Sequence, residues 1–225
     1  VTVPSGGPYN TIVDQGMVKA EGLLDTLSND VRFGLAYYTG AGGDNGGRID
    51  NYVGFGIVTN MITSIHLMTP NTWTPLAETL YESVRYFRQD APYYSNNPAD
   101  YVVGSGTIPN PNLLRDPYYY KFTDLDATLT DMYVPCAKSF ILFLTDGEST
   151  QDQNIPGAGS GACSLTNIRR CSADGALPDT RYAGTVAGTT YPSNGTDYMI
   201  DVAFWARKND MRSGACTTVT TAWQQ

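Results

Sequence analysis

Apolar positions recur along this chain with two periods, one typical of helices and one typical of strands. A helical period near the start predicts an amphipathic helix with its apolar face on Met17, Ala20, Leu24 and Leu27. Apolar residues then occupy every second position over residues 31–37, which predicts a strand. The glycine-rich residues 40–47 end that strand, and residues 57–65 predict a short helix.

The clearest predicted helix opens at Thr74 and Pro75. Threonine is a favoured N-cap, and proline is favoured at the first helical position. Its predicted buried stripe is Leu76, Leu80, Val84 and Phe87. A last helix is predicted after Asp197 as N-cap, with an apolar face of Met199, Val202, Ala203 and Ala206. Residues 217–223 are β-prone and predict a strand.

One apolar run carries the strongest hint of function. Residues 140–144 read Phe-Ile-Leu-Phe-Leu without a break, followed by Thr145, Asp146 and Gly147. A strand covered on both faces has this continuous apolar character, and sites in open α/β sheets lie at the carboxyl ends of such strands. Asp146 is therefore either a site acid or the cap of the next turn, and Gly147 would let the chain turn away sharply.

Strands that alternate with helices predict an α/β fold with a mostly parallel sheet. We expect one domain over residues 1–225, because the chain is long enough for a single well-cored domain. Two irregular stretches predict insertions at about residues 91–135, rich in tyrosine and proline, and 149–196. We expect the tyrosines to pack the first insertion onto the sheet, although they could equally form an adhesive surface.

Composition narrows the function classes. A net charge of −8 and a pI near 4.5 argue against a nucleic-acid partner, since phosphate contacts need clustered lysine and arginine. No apolar run approaches the about 20 residues that span a bilayer. Few charged residues and many Gly, Tyr, Asn, Thr and Ser favour an extracytoplasmic protein. The chain starts at Val1 without a methionine, so we expect a processed product or an excerpt.

The four cysteines fit disulfides better than a metal site. They form no CxxC pair, and the single histidine is distant in sequence, which argues against zinc. We favour Cys163–Cys171 around a short polar loop, with Cys136–Cys216 as the second pair, out of three possible connectivities. The alternative is four free thiols in a reducing compartment.

Thr74 and Asp146 together suggest a metal site. Each lies at the boundary between a core element and a loop. A hydroxyl and a carboxylate are hard oxygen ligands that suit Mg²⁺, Mn²⁺ or Ca²⁺. Mg²⁺ commonly leaves other positions to water or to a carboxylate of a binding partner.

Four motifs in order resemble the PilY family of type IV pilus tip proteins and, more broadly, the von Willebrand factor A domain. The motifs are the Val-Arg-Phe-Gly-Leu of residues 31–35, Trp-Thr-Pro-Leu-Ala-Glu-Thr-Leu-Tyr-Glu of 73–82, Pro-Cys-Ala-Lys-Ser-Phe of 135–140 leading into Leu-Thr-Asp-Gly-Glu of 144–148, and Asp-Val-Ala of 201–203 with Asn-Asp-Met-Arg of 209–212. The resemblance covers the chain from about Met17 onward and implies a von Willebrand factor A-like, Rossmann-like fold.

The resemblance also implies a function. Such domains carry a metal-ion-dependent adhesion site made of an Asp-x-Ser-x-Ser loop, a threonine and an aspartate, which would match Thr74 and Asp146. The Asp-x-Ser-x-Ser loop is not found in the sequence, so we expect an excerpt that starts past that loop and lacks its first strand. Thr74 and Asp146 would then be only part of the metal site. The implied protein is a non-enzymatic adhesion and assembly module with minor pilins and a host or abiotic surface as partners. Its implied location is the cell surface or pilus tip, reached through the periplasm and outer membrane.

A rival interpretation rests on Asp124 and Asp126. Asp-Leu-Asp-Ala-Thr resembles the first motif of haloacid-dehalogenase-type phosphatases, in which the first aspartate is a nucleophile and the second a general acid/base, with Mg²⁺ bound. A poor preceding strand, Ala127 in place of glycine and no downstream acid pair count against it. A calcium loop lacks its glycine and glutamate. An acidic solvated loop with Asx turns is the third interpretation.

Overall fold

The structure is a computed structural model that describes residues 22–39, 46–54, 57–69, 72–94, 96, 115–134, 137–145, 147–157, 162–169, 171 and 195–211. Its helices are α1 (Leu23–Leu27), α2 (Val58–Leu67), α3 (Leu76–Arg88) and α4 (Tyr198–Lys208). Its strands are β1 (Phe33–Tyr38), β2 (Gly47–Gly54), β3 (Tyr119–Tyr120) and β4 (Met132–Tyr133), with one 3-10 turn at Phe122–Asp124.

The strands form two small antiparallel sheets within the described ranges. β1 pairs with β2, with Tyr38 opposite Gly47, and β3 pairs with β4. Arg32 joins the sheets, because its guanidinium donates to the Val53 carbonyl of β2 and to the Tyr119 carbonyl of β3, each at 3.0 Å. The hairpin of β3 and β4 is thus fastened to the end of the larger sheet.

Helix α3 is the centre of the molecule. The residues from Ala77 to Val84 are all buried, so polar and apolar faces of this helix alike are covered. One side packs on β2, where Gly47 lies so close to Thr79 that a Cβ on the glycine would come within 2.6 Å of the threonine methyl. Only glycine allows the strand this close to the helix.

The apolar core lies between α3, α4 and the loops around them. Its buried members are Ala77, Leu80, Tyr81, Val84, Tyr94, Ile155, Ile168, Cys171, Val202 and Trp205. The prediction for Leu80 and Val84 is confirmed, whereas Leu76 and Phe87 are only half-buried. On α4 the buried side chains are Asp201, Val202 and Trp205, and the predicted Ala203 is exposed.

Several local predictions agree with the structure and others differ. The predicted strand over residues 31–37 and the predicted helix over residues 57–65 correspond to β1 and α2. β2 was not predicted, since residues 47–54 carry glycine, aspartate and asparagine, which are rare in strands. Of the first predicted helix, residues 23–27 are helical, and Met17 lies outside the described residues.

The buried strand predicted for residues 140–144 is not formed in the described part of the chain. The segment is in neither sheet, and the exposed fractions are 86% for Phe140, 75% for Leu142 and 78% for Leu144. Among the described residues, the segment contacts the sheet through Tyr38. The Tyr38 hydroxyl donates to the Leu144 carbonyl at 3.3 Å, and the Phe143 ring stacks on the Tyr38 ring. An apolar run becomes a strand only where a neighbouring strand supplies ladder hydrogen bonds, and no described strand does so here.

The parallel sheet itself stays a prediction. Residues 217–223, which are predicted to form one of its strands, lie outside the described residues. In the first insertion, residues 115–134 form the β3–β4 hairpin, and Tyr94 and Tyr118 are buried, as expected for packing tyrosines. None of the described helices is long and apolar enough to cross a membrane.

Candidate functional site

Thr74 lies just before α3 and is held by the loop of residues 147–157, which we call the Asp152 loop. The Thr74 hydroxyl donates to the Glu148 carbonyl at 2.6 Å and lies 3.0 Å from the Thr150 hydroxyl. The Thr74 amide donates to the Thr150 hydroxyl at 2.9 Å, and the Thr150 amide donates to the Thr74 carbonyl at 3.0 Å. Thr74 is therefore fixed through its main chain and its side chain.

Asp146, the second predicted ligand, lies outside the described residues. The segment that follows it does contact Thr74, through Glu148 and Thr150. Position 147 does not require a glycine, because a Cβ there would meet nothing within 4 Å and the backbone φ is not in the left-handed range. The special backbone freedom of glycine, which the sequence suggested for a sharp turn at Gly147, is therefore not used at this position.

The cap of α3 comes from a distant residue and not from Thr74. Pro75 occupies the N-cap position and supplies no side-chain hydrogen bond. Instead Asp152 accepts the amides of Ala77 and Glu78, each at 3.0 Å. The first amides of a helix have no partner within the helix and form the positive end of its dipole, which a carboxylate stabilises.

Two glutamates of α3 bind neighbouring loops in the same way. The Glu78 carboxylate accepts the Asn154 amide at 2.8 Å. One turn further on, the Glu82 carboxylate accepts the amides of Tyr93 and Tyr94 at 3.1 and 3.2 Å. Both glutamates are fully buried. Carboxylates on one face of α3 therefore hold two neighbouring loops. Part of the core of this acidic protein is thus acidic.

Burial raises the pKa of Asp152 to about 6. Hydrogen bonds from the Ser149 hydroxyl at 2.6 Å, from the two helix amides and from the Thr196 hydroxyl oppose this rise, since they favour the charged carboxylate. The loss of hydration outweighs them. Asp152 thus titrates in the weakly acidic range, unlike an ordinary surface aspartate.

The donor chemistry at Thr74 suits a hard cation. The hydroxyl hydrogen is directed to the Glu148 carbonyl, which leaves oxygen lone pairs of Thr74 as acceptors. A hydroxyl of this kind beside a carboxylate is a donor set that Mg²⁺ accepts. Within the described ranges, however, no three histidine, cysteine, aspartate or glutamate side chains group closely enough to hold a metal by themselves. Thr74 could therefore contribute to a site but not complete one.

Asp124 and Asp126 have structural partners. Asp124 forms an ion pair with Lys121 at 3.0 Å. Asp126 accepts the amide and the hydroxyl of Thr128, both at 2.8 Å, and these hydrogen bonds lower its pKa. Asp124 ends the 3-10 turn and Asp126 follows it, after a two-residue strand and not after a long buried strand. These contacts are those of the solvated loop with Asx turns.

The cysteine prediction is confirmed for the shorter pair. Cys163 and Cys171 form a disulfide, with their Cα atoms 4.8 Å apart. Cys171 is buried in the core next to Ile168. Cys136 and Cys216 lie outside the described residues.

Sequence reasoning missed Asp152. It lies in a polar stretch without periodicity, 75 residues from the amide it caps. One available signal was negative: Pro75 cannot act as a side-chain cap, so the exposed amides of a helix that begins there need another acceptor. That signal indicates that a distant acceptor exists without indicating which residue supplies it.

Comparison with known protein families identifies the class of protein to which this chain belongs. Residues 15–222 match a family model described as "PilY1 homolog, second domain", so the chain is a domain of a pilus-associated protein. The match covers most of the 225 residues, and the chain belongs to this PilY1-like family. No curated protein and no solved structure gives a significant match to it.

The family establishes the general setting. A PilY1-like domain has a role related to the type IV pilus, with pilus-related partners and a surface or extracellular location. The order of the sequence motifs had predicted this family, and that part of the prediction is confirmed.

Proposed function

We propose that this chain is a non-enzymatic adhesion and assembly module of a protein at the type IV pilus tip. In this proposal, a divalent cation, Mg²⁺ or else Mn²⁺ or Ca²⁺, is held by Thr74 and Asp146 and binds an acidic group of a ligand on a host or abiotic surface. Minor pilins are the proposed neighbours in assembly.

The hydrogen bond from Thr74 to Glu148 is the observation that carries the proposal. It holds the Thr74 hydroxyl next to the Asp152 loop, which follows Asp146 in the sequence, although Thr74 and Glu148 are 74 residues apart. The Asp152 cap then fixes this segment on α3, so the distance between the two proposed ligands would not depend on surface side chains. A site that captures an external ligand needs such prior order, because ordering during binding reduces affinity.

Magnesium titration of the purified parent protein tests the metal part of the proposal. We expect calorimetric Mg²⁺ binding that Thr74→Val and Asp146→Asn each abolish, and that Thr74→Ser keeps because it retains the hydroxyl. In cells that carry these variants in the parent protein, Mg²⁺-dependent surface attachment should be lost in Thr74→Val and Asp146→Asn and kept in Thr74→Ser.

Two matched substitutions control for charge and for general loss of a hydroxyl. Thr63→Val removes an exposed hydroxyl from α2, where it donates only to the Thr59 carbonyl at 2.9 Å. Asp126→Asn removes an exposed carboxylate from a turn. Both controls should bind Mg²⁺ like wild type. Unchanged Mg²⁺ binding and attachment in Thr74→Val and Asp146→Asn would overturn the metal site.

The proposal includes the von Willebrand factor A-like parallel sheet with residues 140–144 as one of its strands. Its support is the family, together with the apolar character of this exposed run. Cross-linking of cysteine pairs placed at residues 142 and 35 would test the neighbourhood of this run and β1 in the parent protein. Failure of this pair to cross-link would count against the sheet and would leave the assignment to the pilus-associated family unchanged.

A further inference from the structure

We infer that Asp152 is a latch that holds the Asp152 loop on the N-terminal end of α3 and that its grip depends on pH. The latch itself does not rely on the proposed function. Its consequence for the distance between Thr74 and Asp146 does rest on that function. Asp152 acts here as a positioning residue.

Three segments converge on this carboxylate. Its two oxygens accept the Ala77 and Glu78 amides of α3, and one of them also accepts the Ser149 hydroxyl of its own loop. The Thr196 hydroxyl, just before α4, donates to the main-chain carbonyl of Asp152 at 2.9 Å and lies 3.4 Å from one carboxylate oxygen. Asp152 is 0% exposed. Opening the loop would therefore bring a fully buried acid into water and leave two helix amides unpaired.

The surroundings of Asp152 are mostly acidic. The charged and titratable groups on the packed elements are Glu78 and Glu82 of α3, Tyr94, Asp197 and Asp201 of α4, and Arg169. The Arg169 guanidinium is committed to the carbonyls of Ile155 and Gln153, at 2.7 and 2.6 Å. A negative charge on Asp152 is thus stabilised by dipoles and hydroxyls and is not neutralised by that cation.

The direction of the pH effect follows from the two states. In the closed loop the pKa of Asp152 is about 6, against 3.8 for a hydrated aspartate, so the closed state takes up a proton more readily than the open state. Acidification therefore favours closure. From these two values, the ratio of closed to open states rises about tenfold between pH 7.5 and pH 5.

Amide hydrogen exchange of the full chain without metal measures this ratio. The Ala77 and Glu78 amides are the best reporters, because a helix offers its first amides no internal partner and Asp152 supplies theirs. After correction for intrinsic exchange, their protection should rise about tenfold from pH 7.5 to pH 5. The Val53 amide, which donates to the Tyr86 hydroxyl at 2.9 Å, is the internal reference. Where it exchanges through local opening of β2 and not through global unfolding, its protection should not rise in this way.

Asp152→Asn removes the titrating group, so its protection should be independent of pH, and it should be lower than in wild type because the side-chain NH₂ faces one of the two helix amides. Asp126→Asn should keep the wild-type profile. Ser149→Ala removes a hydrogen bond that favours the carboxylate and should move the wild-type transition to higher pH, which tests the latch even if Asp152→Asn does not fold.

The latch is overturned if protection in wild type changes less than twofold, if it falls on acidification, or if Asp152→Asn retains the tenfold change. A Mg²⁺ titration of the parent protein at both pH values separates this result from the proposed function. An intact exchange profile without any Mg²⁺ binding would overturn the metal site and support the latch.

Discussion

The Thr74 hydroxyl donates a 2.6 Å hydrogen bond to the main-chain carbonyl of Glu148, 74 residues further along the chain. A threonine immediately before a helix ordinarily uses its hydroxyl to cap that helix. Here the hydroxyl binds a different segment, and the cap comes from Asp152 on the same loop. The N-terminal end of α3 is thus joined to the Asp152 loop in two ways, through the Thr74 hydroxyl and through the Asp152 carboxylate.

The first prediction concerns the coupling between Thr74 and Thr150. Their hydroxyls lie 3.0 Å apart, and the Thr74 amide also donates to the Thr150 hydroxyl. In a double-mutant cycle with Thr74→Val and Thr150→Val, we expect a coupling of about 1 kcal/mol in the free energy of unfolding, since both substitutions remove the contact between the two hydroxyls. Denaturant unfolding measures it. Strictly additive losses would show that the two hydroxyls do not act together.

The second prediction is a stability that rises on mild acidification. The pKa of Asp152 is raised by burial to about 6, so the folded state binds a proton that the unfolded chain, near 3.8, does not. This contribution is fully present below pH 3.8 and is lost as pH rises through 6. Between pH 7.5 and pH 5 we expect a gain of about 1.4 kcal/mol in wild type relative to Asp152→Asn. Equal pH dependence of the two proteins in denaturant unfolding would refute it.

The third prediction concerns the Cys163–Cys171 disulfide, which closes a loop with a sequence separation of 8. Closing a loop of this length removes conformational entropy from the unfolded chain. We expect the double substitution Cys163→Ser, Cys171→Ser to cost about 2–3 kcal/mol. Because Cys171 is in the core beside Ile168, part of the loss would come from packing. The variant Cys163→Ala, Cys171→Ala, compared by thermal unfolding, separates the two contributions.

The elements that the sequence predicted are those with local signals. α2, α3, α4 and β1 follow from apolar periodicity, and the disulfide follows from the spacing of two cysteines. Features held by distant contacts were not predictable. β2 has a poor strand composition and forms because it pairs with β1 and packs on α3 through Gly47. The Asp152 cap joins residues that no local rule connects.

The same distinction applies to the candidate site. Thr74 was chosen because of its residue type and its place before a helix, and the structure gives it well-defined partners. The reason given for its position, capping, was wrong. Residues 140–144 have the composition of a buried strand, yet composition alone does not provide the neighbouring strand that such a segment needs.

The fourth prediction uses two glycines with opposite surroundings. A Cβ on Gly47 would lie 2.6 Å from the Thr79 methyl and 2.8 Å from its Cα, so Gly47→Ala should push β2 away from α3 and cost about 1–3 kcal/mol. Gly147→Ala meets nothing within 4 Å and should change stability by less than about 0.5 kcal/mol. Denaturant midpoints of the two variants provide the comparison. A neutral Gly47→Ala would show that the contact between strand and helix relaxes easily.

The last prediction concerns Arg32, whose guanidinium joins the two sheets. It donates to the carbonyls of Pro117 at 2.7 Å and of Val53 and Tyr119 at 3.0 Å, and lies 3.9 Å from the centre of the Tyr120 ring. Burial lowers the pKa of Arg32, but an arginine stays protonated at neutral pH, so the charge is available to all three carbonyls. The guanidinium plane can stack on the ring while its edge donates, which an ammonium group cannot do.

Replacing this side chain should therefore release the β3–β4 hairpin. We expect Arg32→Met, which keeps an apolar stem, to cost about 3 kcal/mol because it leaves partly buried carbonyls without their charged donor. Arg32→Lys should recover only part of the loss. Arg207→Met, at an exposed position of α4, is the matched control and should cost less than about 0.5 kcal/mol.

Amide exchange shows where the loss occurs. The Val134 amide of this hairpin region, which donates to the Tyr118 carbonyl at 2.8 Å, should lose protection in Arg32→Met. The Ala77 amide on α3 should keep its protection, because its acceptor is Asp152 and no described contact links it to Arg32. If both amides lost protection equally, Arg32 would stabilise the whole domain, and its role as a local fastening between the two sheets would be refuted.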